Sequence, residues 1–244
     1  VAVALILVAV AALGLSVSVG LSGTAPVSSQ LYQVKKVSLA SGAGMTARWN
    51  PCQKAIVWRA NLVGLPASKR LAMLKQLQTA FNRLSSIDGM TYRYAGRTPF
   101  IPRQSNLVNQ PADIVVAAVK ASQTDLNLGE RSLGFGGVLW ATWYGSDGEG
   151  AAVVRGYVVL VPSGFAQLKP GFGKGKTQGN VILHELGHAT GLEHVNNQKE
   201  QMYPVLTGIS PKGYASGDLA GLAKLGTRAG CITIPERVTI TDYN

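Results

Sequence analysis

Hydrophobic residues are spread unevenly along this chain, and the first stretch is unlike the rest. Residues 1–21 carry no charged side chain. A run of about twenty apolar residues is long enough to span a bilayer as a helix, and exceeds the roughly 7–15 residues of a secretory signal core. Residues 1–24 are therefore expected to be a signal peptide or a membrane anchor. Ser22, Gly23, Thr24 and Ala25 supply a candidate cleavage region, although Pro26 disfavours a cut directly after Ala25. A buried core helix fits less well, because the run is terminal and leads into polar sequence. Residues 25–46 are rich in Ser, Gly, Ala and Thr and read as a linker.

Beyond residue 46 the pattern alternates between two periods. Residues 55–62 read as a first strand. Residues 67–85 read as a helix, with Leu71, Leu74, Leu77, Phe81 and Leu84 at helical spacing on one face. Residues 90–94 and 112–117 read as strands, the second expected at the centre of a sheet. Residues 134–143 and 151–161 read as two more, joined across Gly145-Ser146-Asp147-Gly148-Glu149-Gly150 by a hairpin or a wider connection. Residues 177–190 and 217–225 read as helices, with Ser216 a plausible N-cap for the second. No internal repeat is visible. About 200 residues past the N-terminal run suit one domain, expected over residues 47–244.

Composition sharpens this picture in two places. The chain has 23 basic and 12 acidic residues, a formal charge of +11. The basic residues are scattered, with no dense run and no nucleic-acid motif, so no nucleic-acid partner is expected. A solvated surface accounts for them; attraction to anionic lipid head groups or envelope polymers is the sharper alternative. The two cysteines, Cys52 and Cys231, bracket the expected domain. An even count in an exported chain favours a disulfide, against two unpaired buried thiols. Such a bridge would close a loop of about 180 residues and contribute several kcal/mol by the chain-entropy model.

Chemistry is concentrated in one short segment. All three histidines of the chain lie in His184-Glu185-Leu186-Gly187-His188-Ala189-Thr190-Gly191-Leu192-Glu193-His194, the pattern H-E-x-x-H-x-x-G-x-x-H. On a helix His184 and His188 share a face and can hold one ion between them. Glu185 cannot easily ligate that ion but can reach a water bound to it. Gly191 tolerates the positive φ of a sharp reversal. That reversal can return His194 as a third ligand, leaving the fourth tetrahedral position of a zinc ion open, as in catalytic sites. A bare HExxH can sit on any amphipathic helix; the longer form constrains five positions and argues for zinc.

This motif resembles that of the metzincin metalloproteases. Met202, eight residues after His194 in Gln201-Met202-Tyr203-Pro204, is similar to their methionine turn, and Met-Tyr-Pro at this distance most resembles the matrixin branch. The segment 216–226 resembles the helix that follows in matrixins, and Arg48-Trp49-Asn50-Pro51-Cys52 resembles the start of bacterial secreted matrixin-type domains. The resemblance covers roughly residues 47–232 and is specific over 181–206. It implies an α+β, zincin-like fold: a twisted mixed five-stranded sheet with three helices, and an active-site cleft between an upper and a small lower subdomain. It implies one catalytic Zn2+ on His184, His188 and His194, Glu185 as general base and acid, Met202 as a hydrophobic floor beneath the metal, and a protein or peptide substrate cut by a monomer. Strand 134–143 would be the edge on which an extended substrate lies, and Tyr203 either orients substrate or packs in a turn.

Departures from the family are specific. Val195 stands where matrixins carry serine, and Leu206 where they carry a tyrosine in the wall of the pocket beyond the cut bond. No histidine remains for the second, structural zinc of animal matrixins, and these residues contain no propeptide cysteine of the kind that keeps matrixins latent. Asp147 and Glu149 could contribute to a calcium site, but with so few oxygen ligands a solvent loop is more economical. Gly171-Phe172-Gly173-Lys174-Gly175-Lys176-Thr177 imitates a phosphate loop but has Pro170 where that motif needs glycine. The leading expectation is an exported zinc endopeptidase. The alternatives are an exported zinc-binding or adhesive module with little turnover, and a metallo-amidase acting on cell-envelope peptides. The retained Glu185 argues against the former, since pure binding has no use for that carboxylate.

Overall fold

A computed structural model describes residues 31–129, 132–145, 148–233 and 239–241. In chain order the strands are β1 (Gln33–Val34), β2 (Lys36–Ser38), β3 (Gly44–Thr46), β4 (Ile56–Asn61), β5 (Tyr92–Arg97), β6 (Ile114–Ala118), β7 (Gly134–Gly145), β8 (Gly148–Leu160), β9 (Leu192–Glu193) and β10 (Thr239–Thr241). The helices are α1 (Ala67–Asp88), the single turn α2 (Pro162–Phe165), α3 (Gln178–Thr190) and α4 (Ser216–Leu225). The expected signal or anchor at residues 1–24 lies outside the described residues. Among the described residues no helix is long and apolar enough to cross a membrane.

The sheet is mixed, as the resemblance implies. Strands β5, β4, β6 and β8 run parallel to their neighbours, and β7 pairs antiparallel to β8. Every residue of β6 is buried, because β6 has a strand on each edge and a covered surface on each face. The pairing of β7 with β8 extends to Gly145 opposite Gly148. Beyond the five strands, β10 adds a short sixth antiparallel to β7.

One face of α1 covers the sheet through Met73, Leu77, Ala80, Phe81 and Leu84. Trp58 of β4 stacks on Phe81 with ring centroids 4.3 Å apart. Leu71 is exposed, so the apolar stripe lies slightly to one side of the face expected from sequence. The helix also continues to Asp88 and ends on Gly89, whose φ of 74° closes the turn through its N–H to the Ser85 carbonyl. Met90 is consequently a buried turn residue, and β5 starts only at Tyr92.

Two expectations are corrected. Residues 33–46 are not a linker. Gln33 and Val34 pair with Glu193 and Leu192, Lys36–Ser38 pairs with Gly44–Thr46, and Val37, Leu39 and Ala47 are buried. A small-residue composition concealed an alternating pattern and an open strand edge waiting at β9. Ser216 is not the N-cap of α4: it is the first helical residue, and Ala215 holds the cap position. The free amides of Gly217 and Asp218 are satisfied from a distance by the Glu200 carboxylate at 3.0 Å each. A remote carboxylate thus replaces the local hydroxyl.

The Cys52–Cys231 disulfide forms across 179 residues, with Cα atoms 5.3 Å apart. Arg48 donates to the Gly230 and Ala229 carbonyls, and Asn50 exchanges two hydrogen bonds with Ile232, so the beginning and end of the domain are joined.

Candidate active site

The site is built on α3. Thr177 caps it, its hydroxyl accepting from the Asn180 N–H at 3.1 Å. The preceding glycine-rich loop folds onto the same end: the amides of Gln178 and Gly179 donate to the Lys169 and Gly171 carbonyls, and the Asn180 side-chain amide donates to the carbonyls of Gly173 and Gly175. These first amides are spent on the protein's own carbonyls, so the imitation of a phosphate loop offers no anion cradle.

One helical turn separates His184 from His188 on the same face of α3. The helix then stops at Gly191 with φ 104°, its N–H returning to carbonyls of the last turn. A Cβ at Gly191 would stand 3.1 Å from the Ala47 carbonyl, so both conformation and space call for glycine. The reversal brings His194 back over the helix. Its Nε2 lies 3.2 Å from Nε2 of His184 and 2.9 Å from Nε2 of His188.

The tautomers follow from the neighbours. Nδ1 of His184 faces the Gln201 carbonyl, and Nδ1 of His188 faces the Leu192 carbonyl, both at 2.8 Å. A carbonyl only accepts, so each Nδ1 carries the proton and each Nε2 presents a lone pair. Burial pushes His184 down to about 3 and His188 down to about 4, and pushes His194 lower still, so all three are neutral at physiological pH. Neutral imidazoles with converging lone pairs are the ligand form for a metal. Two bonds of about 2.05 Å at a tetrahedral angle subtend about 3.3 Å, close to these separations.

Glu185 is fully buried and neither carboxylate oxygen has a hydrogen-bond partner. Burial pushes its carboxyl well above the usual range; the Gly136 amide is near enough to pull it down slightly, though outside hydrogen-bond geometry. Glycines make this approach of β7 possible. A Cβ at Gly134 would come within 2.7 Å of the Glu185 side chain, and one at Gly136 would collide with the Glu185 backbone carbonyl. A glycine cluster within a strand signals such close approach, and the sequence reading passed over it.

Met202 is buried against Gly187 of α3, where any Cβ would run into its sulfur. The turn is held by Asp218 of α4, whose carboxylate accepts from the amides of Gln201 at 2.6 Å, Met202 at 3.1 Å and Ala215 at 2.8 Å. Burial, with the Glu200 charge adding to it, raises Asp218 to about 7 despite these bonds. Leu206 and Tyr203 line a cavity of about 10 Å³ beside His184, with Asn180, Val181, Gln201, Val205 and Ser210. That is room for roughly one water. Glu149 is engaged elsewhere: its carboxylate accepts from the Ser41 amide and hydroxyl. Asp147 lies outside the described residues.

A mixed α+β domain in which an HExxHxxGxxH segment gathers three histidines is consistent with a metzincin zinc site, and these features support a zinc metallopeptidase. Residues 142–225 match the family model of Peptidase M10, the matrixins. The match runs from within β7 through α4 and includes the three histidines, Glu185 and Met202. A search of curated proteins returned no match.

Proposed function

We propose that the chain is an exported zinc endopeptidase. The observation that carries this reading is the convergence of three neutral imidazoles on one point beside a buried carboxylate without a partner. His184, His188 and His194 would hold one zinc ion, and the donor set fits: three imidazole nitrogens within 4.8 Å of one another, with the Gln201 and Leu192 carbonyls orienting two of the rings. When bound, zinc in such a site lowers the pKa of its water and polarises a carbonyl. Glu185, its proton affinity raised by burial, takes the proton of the attacking water and delivers it to the leaving amine. Met202 supplies an apolar floor and no ligand. The catalytic unit comprises the described residues from 31 onward together with its disulfide. Residues 1–24 direct export as a signal or an anchor, which agrees with a disulfide-permissive compartment.

The test is cleavage of a general unfolded-protein substrate by the chain, with Glu185→Ala beside it and bound zinc quantified in both. The expected outcome is cleavage by the native chain, a loss of at least about 10²-fold in the variant, and equal zinc content. Zinc in both proteins with cleavage in neither favours a binding module. A folded native chain that takes up no zinc sinks the reading.

A further inference from the structure

One backbone pairing lies outside the catalytic reading. The outer edge of β7 is partly taken. Thr239, Ile240 and Thr241 pair antiparallel with Thr142, Ala141 and Trp140 respectively. As β10 advances, its partners on β7 therefore count downward, toward Gly136 and Glu185. Among the described residues no strand pairs with residues 134–139 on that side. From Trp140 to Gly136 the rise along a strand is about 13 Å.

The root of this segment is immobilised. Cys231 is bonded to Cys52, and Ile232 is held by Asn50 on both its amide and its carbonyl. Only residues 233–238 separate this anchor from β10. A tether so short gives β10 an effective concentration at the β7 edge on the millimolar scale. An extended peptide that uses the same edge must meet the same row of backbone donors and acceptors. Over residues 140–142 that edge already has a partner.

We propose that β10 is an internal competitor for the substrate edge: it occupies the outer part of β7 in the direction a bound peptide would take toward Glu185, and so limits how many residues on the N-terminal side of the cut bond can be bound. The proposal rests on the peptidase reading above. It requires that peptides reaching only residues 136–139 bind unhindered, and that longer ones first displace β10.

The experiment uses the full chain with Ile240→Pro and, separately, Thr241→Pro. Successive amides in a strand point to opposite sides, so one of the two substitutions removes a donor aimed at β7. Peptides are built around a bond the chain cuts in an unfolded protein, with about three or about eight residues before that bond. In the variant that loses the donor, kcat/KM for the long peptide should rise about fivefold or more, while the short peptide stays within about twofold. Hydrogen-exchange protection of those amides among Trp140, Ala141 and Thr142 that face β10 should fall in that variant alone, while those facing β8 stay protected. Unchanged long-peptide cleavage in both variants overturns the proposal, whether or not protection falls. A native chain that cuts no peptide defeats the peptidase reading and the competition with it, and is told apart because the short peptide also fails.

Discussion

At the scale of single residues, the interior holds carboxyl groups whose burial is incompletely offset. Asp88 is 3% exposed; it accepts from the Met90 amide and the Tyr92 hydroxyl, yet desolvation raises it to about 6. An acid with a raised native pKa binds its proton more tightly folded than unfolded. Its contribution to stability therefore falls as pH rises from about 4 to about 6, by up to about 3 kcal/mol. The buried histidines act with the opposite sign, so the useful quantity is the difference between variants. Asp88→Asn keeps one acceptor oxygen and cannot ionise. Urea unfolding at pH 4 and pH 7 should show its stability relative to the native chain rising by about 2–3 kcal/mol across that interval. A pH-independent difference would mean that Asp88 is not the titrating group. None of this is readable from sequence, where Asp88 is only the last residue before a helix-ending glycine.

At the scale of elements, α3 and α4 are coupled through the methionine turn. The carboxylate of Asp218 is the single acceptor for the amides of Gln201 and Met202 in the turn and of Ala215 at the start of α4. Asp218→Ala leaves three donors without that partner, in a place too buried for water to replace it fully. The expected cost is about 3 kcal/mol or more in chemical denaturation, with weaker zinc retention, because Gln201 also orients His184 through its carbonyl. Zinc affinity unchanged in a destabilised but folded variant would show that the turn does not transmit position to the histidines. The helices themselves were legible: the spacing of Leu77, Phe81 and Leu84 and of His184 and His188 is a local property of the chain. Their caps were less so. Thr177, read from sequence as the first helical residue, is instead the cap of α3, whereas α4 is capped by Glu200, sixteen residues before its first residue, and no local pattern announces that.

At the scale of the whole molecule, one covalent link holds the two ends of the domain together. Removing it with Cys52→Ser and Cys231→Ser should cost about 3–5 kcal/mol by the loop-entropy model, measured by denaturant unfolding against the oxidised chain. A cost below about 1 kcal/mol would mean that the hydrogen bonds of Arg48 and Asn50 already confine the C-terminal segment. The sequence alone determined the histidine triad, the helix stop at Gly191, the central strand at β6 and the pairing of the only two cysteines. Each depends on spacing along one element, on residue type, or on there being a single possible partner. The tertiary structure alone decided that residues 33–46 belong to the domain, that Gly134 and Gly136 admit Glu185 to the sheet, that Leu206 helps confine the cavity beside His184, and that β10 lies along β7. Those features are meetings between segments distant in the chain, where a strand edge or a buried amide takes whichever partner the folded geometry brings to it.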